Sequence, residues 1–222
     1  MCKLAPPDPK SNMTKRILYL HGFASSPKGQ KVEQLRALLG PGYDFVAPDL
    51  NAPSFEQLDF DAIVTRAVDA AIELRPDVIV GSSLGSLVTL TVASRGVDAP
   101  LVLLAPAFDI GKRWLERLEK GDPVKVFNPA QGRDVMIHRA FFVRLATVDI
   151  DREPPRAPVT VIMGRNDESV PFELVASTWK SWEASGRLAP GSNFIEVPDG
   201  DHRLVKHTEL IAGEIRRAAG DA

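Results

Sequence analysis

The chain has one cysteine, Cys2, in 222 residues. A lone thiol excludes an internal disulfide, so stability must come from an apolar core, and a reducing compartment suits the protein. We therefore expect a cytoplasmic location. An excess of charge of one sign is also missing. Lys and Arg number 27, Asp and Glu 29, for a formal net charge of −2. That balance gives no electrostatic footprint for nucleic acid as a partner. No apolar run reaches the roughly 20 residues that a bilayer-spanning helix needs, so no membrane partner is expected. No cluster of metal ligands and no phosphate-cradling glycine loop can be read, so neither metal nor other cofactor is expected. The first 14 residues carry Pro6, Pro7 and Pro9 and no apolar segment. They read as a loose tail rather than a secretory signal, with Met13 as a second candidate start.

What is present is ordinary globular composition, 44% apolar and 25% charged. The remaining span, 15–222, is long enough for a single α/β domain. Strand-like and helix-like segments alternate along it, which predicts a parallel sheet. Six apolar runs read as strands: Arg16 to Leu20, Tyr43 to Ala47, Val78 to Val80, Leu101 to Ala105, Val159 to Met163 and Asn193 to Val197. Helical spacing recurs through Val32 to Leu39, Ile63 to Leu74, Leu84 to Ser94, Phe172 to Ser185 and Val205 to Ala219, and Trp114 to Leu118 reads as a helix fragment. The expected fold class is α/β, a mostly parallel sheet of about six strands with helices on both faces. Between Pro106 and Pro158 the alternation fails, and Val135 to Leu145 reads as either strand or helix. Segment 109–151 leaves the end of a strand beside the glycine-flanked serine discussed next, at the edge where open α/β sheets bind ligands. We expect it to be a lid insertion.

Gly81-Ser82-Ser83-Leu84-Gly85 carries the chemistry. It has the form G-x-S-x-G, with a β-branched run before it and a helical stretch after it. On such a strand-to-helix turn the serine is strained and exposed, and the helix N-terminus lies beneath it. Ser83 is the candidate nucleophile. A serine hydroxyl needs a base, and the base needs an acid to orient it. Of His21, His138, His202 and His207, His202 follows the last strand in Asp199-Gly200-Asp201-His202 and can reach Ser83. His21 reads as a loop anchor, and His207 as part of the last helix. The acid should follow the preceding strand, in Gly164 to Pro171; Asp167 is the choice, ahead of Glu168, Asp199 and Asp201. Two backbone N–H groups should form an oxyanion hole: Leu84, next to the nucleophile, and Phe23, in the turn after the first strand.

The run Tyr19-Leu20-His21-Gly22-Phe23-Ala24-Ser25-Ser26-Pro27, with Lys31 beyond it, resembles the opening of the compact bacterial YqiA-like esterases of the α/β-hydrolase superfamily. The likeness extends as an order of motifs from about residue 15 to 219. It implies carboxylic-ester hydrolysis through an acyl-enzyme, on a small-molecule ester or thioester. The resemblance fails between Asp109 and Asp151. Trp114, Phe141 and Phe142 in that stretch are candidates for the substrate pocket, with core packing as the alternative. Two other classes stay open at this stage. One is a non-catalytic binding protein on a hydrolase scaffold. The other is a peptidase or carbon–carbon bond hydrolase with the same triad.

Overall fold

Continuous apolar runs become the centre of a six-stranded parallel sheet, because strands covered on both faces need no polar alternation. The computed structural model describes residues 14–118, 123–128, 131–150 and 155–221. The expected tail therefore lies outside the described residues apart from Thr14. The strands are β1 Lys15–Leu20, β2 Tyr43–Val46, β3 Val78–Ser82, β4 Leu101–Leu104, β7 Val159–Gly164 and β8 Asn193–Val197. Their order across the sheet is β2-β1-β3-β4-β7-β8, and every pairing is parallel. All residues of β3, β4 and β7 are buried, whereas the edge strands β2 and β8 are partly exposed. The six predicted strands are all present, to within a residue or two at their ends.

Helices α1 Gln30–Leu39, α2 Phe60–Leu74, α3 Leu84–Ser94, α6 Phe172–Ala184 and α7 Thr208–Ala218 connect or follow these strands. From β1 the chain steps one way to β2 and then back past β1 to β3. Right-handed crossovers put the helices of two opposite steps on opposite faces. Accordingly α1 packs with α7, and α2 packs with α3. The reversal leaves a crevice at the carboxyl ends of β1 and β3, the usual ligand position in an open sheet. Helix α2 shows how local sequence sets the boundaries. The Asp59 side chain accepts the Ala62 N–H at 2.7 Å, and Arg75 ends the helix in left-handed conformation just before Pro76. Among the described residues no helix is long and apolar enough to cross a membrane.

The unreadable stretch has its own structure. Helix α4 Ile110–Arg117 is followed by strands β5 Val124–Asn128 and β6 Arg133–Ile137, an antiparallel hairpin, and then by α5 Arg139–Ala146. The ambiguous run 135–145 is thus both a strand and a helix, with the change at His138. Helices α4 and α5 cross in close backbone contact at Gly111, where a Cβ would collide with the Ala146 backbone nitrogen. The paired guanidinium and carboxylate of Arg144 and Asp61 tie α5 to α2. A second difference lies at the other end of the chain. The sequence pattern places His207 within the last helix. It ends a separate 3-10 turn, Val205–His207, ahead of α7.

Candidate active site

Strand β3 delivers Ser83 to the first position after its end, with φ 55° and ψ −117°. That conformation is costly for a residue with a Cβ and persists only where the surroundings enforce it. Here the enforcement is backbone packing. A Cβ at Gly81 would collide with the Thr89 hydroxyl across the turn. A Cβ at Gly85 would instead collide with the Leu20 carbonyl, on β1 rather than across the turn. The Ser83 N–H donates to Leu104 at 2.9 Å, and its carbonyl accepts from Ser86 at 3.0 Å. Ala24, Ala105 and Leu204 also have positive φ, so four of the five such non-glycine residues fall in loops at this end of the sheet.

The candidate base and acid, His202 and Asp167, come from loops at the ends of neighbouring strands. His202 Nε2 lies 3.1 Å from Ser83 Oγ, and its Nδ1 lies 2.8 Å from Asp167 Oδ2. An ionised carboxylate only accepts, so Nδ1 carries the proton and Nε2 is left free to accept from the serine hydroxyl. The Asp167 side chain is 0% exposed and its ring partner 20% exposed. A buried carboxylate needs full hydrogen bonding. Asp167 Oδ1 obtains it from the Ser169 and Val170 N–H groups, at 2.8 and 2.7 Å. The two loops are themselves joined, since the Asn166 N–H donates to the Gly200 carbonyl at 2.9 Å. The runner-up acids have other tasks. Glu168 accepts from the His202 backbone N–H at 3.3 Å, and Asp201 from the Leu204 N–H at 2.8 Å. Asp199 faces His207 at 3.5 Å.

The turn after β1 passes close over Ser83 because residue 22 is glycine. A Cβ there would sit 3.1 Å from both the Ser82 carbonyl and the Ser83 Cβ. His21 anchors this turn. Its Nε2 accepts the Leu50 N–H at 2.9 Å, so Nδ1 is the donor to the Gly22 carbonyl, also at 2.9 Å. Burial lowers its pKa and keeps the ring neutral, with Gly22 and Asp49 opposing the shift. Neither the Phe23 nor the Leu84 N–H has a hydrogen-bond acceptor among the described residues. Leu84 opens α3, where the first N–H groups have no partner within the helix.

A cleft of about 630 Å³ opens at Ser83 and His202, walled by the β1 turn, the start of α1 and Arg203. Trp114, Phe141 and Phe142 do not line it. Phe141 and Phe142 are buried, and all three rings stack on or against Phe23 at 5.7 to 5.9 Å between centroids. The insertion thus backs the β1 turn from outside the cleft. Sequence reasoning gave no role to two kinds of residue here. Arg113 of α4 pairs with Asp109 at 2.8 Å and donates to the Ser169 carbonyl, bracing the loop of Asp167. Lys28, Lys31 and Arg203 line the cleft, and of these the sequence marks only Lys31, as part of the family resemblance. Among the described residues no cluster of side chains is suited to a metal ion.

No curated protein matches the chain in sequence. Solved structures do match in fold. The ferulic-acid complex of Est1E from Butyrivibrio proteoclasticus is similar at TM-score 0.74 and 19% identity, covering 95% of this chain and 90% of that one. A putative hydrolase from Agrobacterium vitis is similar at TM-score 0.71, 18% identity and the same coverage. The esterase domain of a Rhodothermus marinus protein is similar at TM-score 0.63 and 20% identity, again covering 95% and 90%. The sheet order and the helices around it are those of the α/β-hydrolase fold. With the family model matching residues 16–206, the chain belongs to the uncharacterised protein family UPF0227.

Proposed function

We propose that the protein is a serine hydrolase that cleaves small or medium carboxylic esters, thioesters included, through an acyl-enzyme. The observation that carries this reading is the continuous relay from Ser83 to His202 to Asp167, at 3.1 and 2.8 Å. Ser83 Oγ attacks the ester carbonyl while His202 Nε2 takes its proton. Negative charge develops on the carbonyl oxygen, where the free N–H groups of Phe23 and Leu84 stabilise it. His202 then returns the proton to the leaving alcohol or thiol. Water repeats the sequence on the acyl-enzyme and restores Ser83. Asp167 holds the imidazole in the required tautomer and stabilises its charged form.

Insertion 109–151 acts as a cap that shapes the site through Phe23, whose ring rests on Trp114, Phe141 and Phe142. The lone thiol and the absence of a nucleic-acid footprint fit a small-molecule enzyme of the cytoplasm. A binding protein on this scaffold has no need to hold a serine in a strained conformation beside a polarised imidazole. The test is a panel of p-nitrophenyl acetate, butyrate and octanoate with purified protein. Hydrolysis is expected, and Ser83→Ala should lose up to roughly 10⁶-fold in kcat while staying folded. Folded Ser83→Ala that retains wild-type turnover contradicts the proposal.

A further inference from the structure

Among the described residues the cleft at Ser83 is lined by three cations, Lys28, Lys31 and Arg203, and by no carboxylate. The chain as a whole has a net charge of −2, so this concentration does not follow from composition. None of the three cations forms an ion pair among the described residues. The Lys31 ammonium donates to the Ser82 hydroxyl at 3.0 Å, and the Arg203 guanidinium to the Gln30 amide oxygen at 2.9 Å. The nearby carboxylates are committed elsewhere, Asp167 to His202 and Asp201 to the Leu204 N–H. Helix α1 begins at the same wall. Its cap residue Gly29 supplies no side-chain cap, and Gly29, Gln30 and Lys31 all face the cleft. Uncapped N–H groups at a helix start add positive potential to that of the side chains.

A largely buried ammonium with no carboxylate in ion-pair contact among the described residues is unfavourable for the folded protein. Burial lowers the Lys31 pKa to about 8, with Asp201 and Asp167 raising it and Arg203 lowering it further. That value still lies above neutral pH, so the side chain is mostly charged at pH 7. The ammonium touches Ser82, the residue before the nucleophile, and consecutive Cα atoms are only about 3.8 Å apart. A group bound to Lys31 therefore lies a short tether away from the carbonyl under attack.

We propose that this cleft selects esters carrying an anionic group, a carboxylate or a phosphate, a few bonds from the scissile carbonyl, with Lys31, Lys28 and Arg203 as its partners. The proposal rests on the serine-hydrolase reading and names the substrate class of that site. Two matched pairs of substrates test it. One pair is p-nitrophenyl hydrogen glutarate and its neutral methyl ester. The other is 4-acetoxyphenyl phosphate and its dimethyl ester. At low salt the charged member of at least one pair should have the higher kcat/KM, by about tenfold or more, and added salt should reduce the difference. Which pair responds identifies carboxylate or phosphate. The charged-to-neutral ratio should fall severalfold in Lys31→Met and in Arg203→Gln, the second at an exposed position where folding is not at risk. Lys180→Gln, which removes an exposed cation from α6, should leave the ratio unchanged. Equal kcat/KM within both pairs, or preference for the neutral members, overturns the proposal. If wild type hydrolyses no ester, the hydrolase reading fails and the anion site is judged by calorimetry alone. Glutarate or inorganic phosphate should then bind Ser83→Ala and bind more weakly once Arg203→Gln is added. Binding of neither anion overturns it.

Discussion

Replacing Lys31 by methionine should make the protein more stable while impairing its cleft. Burial brings the Lys31 pKa from its ordinary 10.5 to about 8, so the folded chain holds this proton less tightly than the unfolded chain does. At about 1.36 kcal/mol for each pKa unit, the ammonium costs the folded state roughly 3 kcal/mol at pH 7. Methionine is similar in length and uncharged, and removes that term. It also loses the hydrogen bond to Ser82, worth about 1 kcal/mol. The net gain is about 2 kcal/mol, or about 4–8 °C in Tm for a chain of this size. The sign of the pH dependence follows from the same two values. Below about pH 8 Lys31 is protonated in both states, and wild type carries the whole penalty. Between about 8 and 10.5 the unfolded chain binds the proton and the folded chain does not, so wild-type stability gains with rising pH from this group. The advantage of Lys31→Met should therefore be full at pH 7 and much reduced at pH 10. Urea melts of both proteins at the two pH values measure it. A variant less stable than wild type at pH 7, or a gap that does not change with pH, refutes the reasoning.

Three further substitutions probe the site and its supports. Asp167→Asn should reduce kcat by roughly 10⁴-fold with little change in Tm, because the amide can present the wrong partner to His202 Nδ1; steady-state kinetics beside Glu168→Gln, which should do much less, checks the choice of acid. Gly85→Ala should leave little folded protein, since its Cβ meets the Leu20 carbonyl and β1 would have to move away from α3; soluble yield and circular dichroism read the effect. Phe142→Ala should cost about 3–5 kcal/mol, because the side chain is 0% exposed within the ring cluster behind Phe23; an unchanged melting temperature would contradict that role.

The parts legible in the sequence were those fixed by local chemistry. Central strands such as Val78 to Ser82 are buried on both faces and leave uninterrupted apolar runs, so the sheet could be read from them. The elbow was legible because a glycine is needed at both 81 and 85, although for different neighbours. Asp167 could be preferred to Glu168 by reach alone, and Glu168 in fact meets the His202 backbone. The insertion was not legible. Its hairpin exposes Phe127 (56%) and Met136 (47%), which blurs the alternation of a half-buried strand, and α5 starts two residues after β6 ends. Trp114, Phe141 and Phe142 illustrate a further limit. Large apolar side chains have the same signature whether they line a pocket or, as here, pack behind a turn that does. The cationic wall left no signal either, since Lys28, Lys31 and Arg203 come together only when the β1 turn folds against the loop after β8.

The central claim is that Ser83 is an activated nucleophile, and covalent labelling tests it most directly. Purified protein treated briefly with a fluorophosphonate should gain one adduct by intact mass spectrometry, and peptide mapping should place it on Ser83. His202→Ala should label far more slowly, because the base 3.1 Å from the hydroxyl is gone. An absence of rapid labelling in folded protein, or an adduct on Ser82 or Ser26 with Ser83 unmodified, would contradict the account.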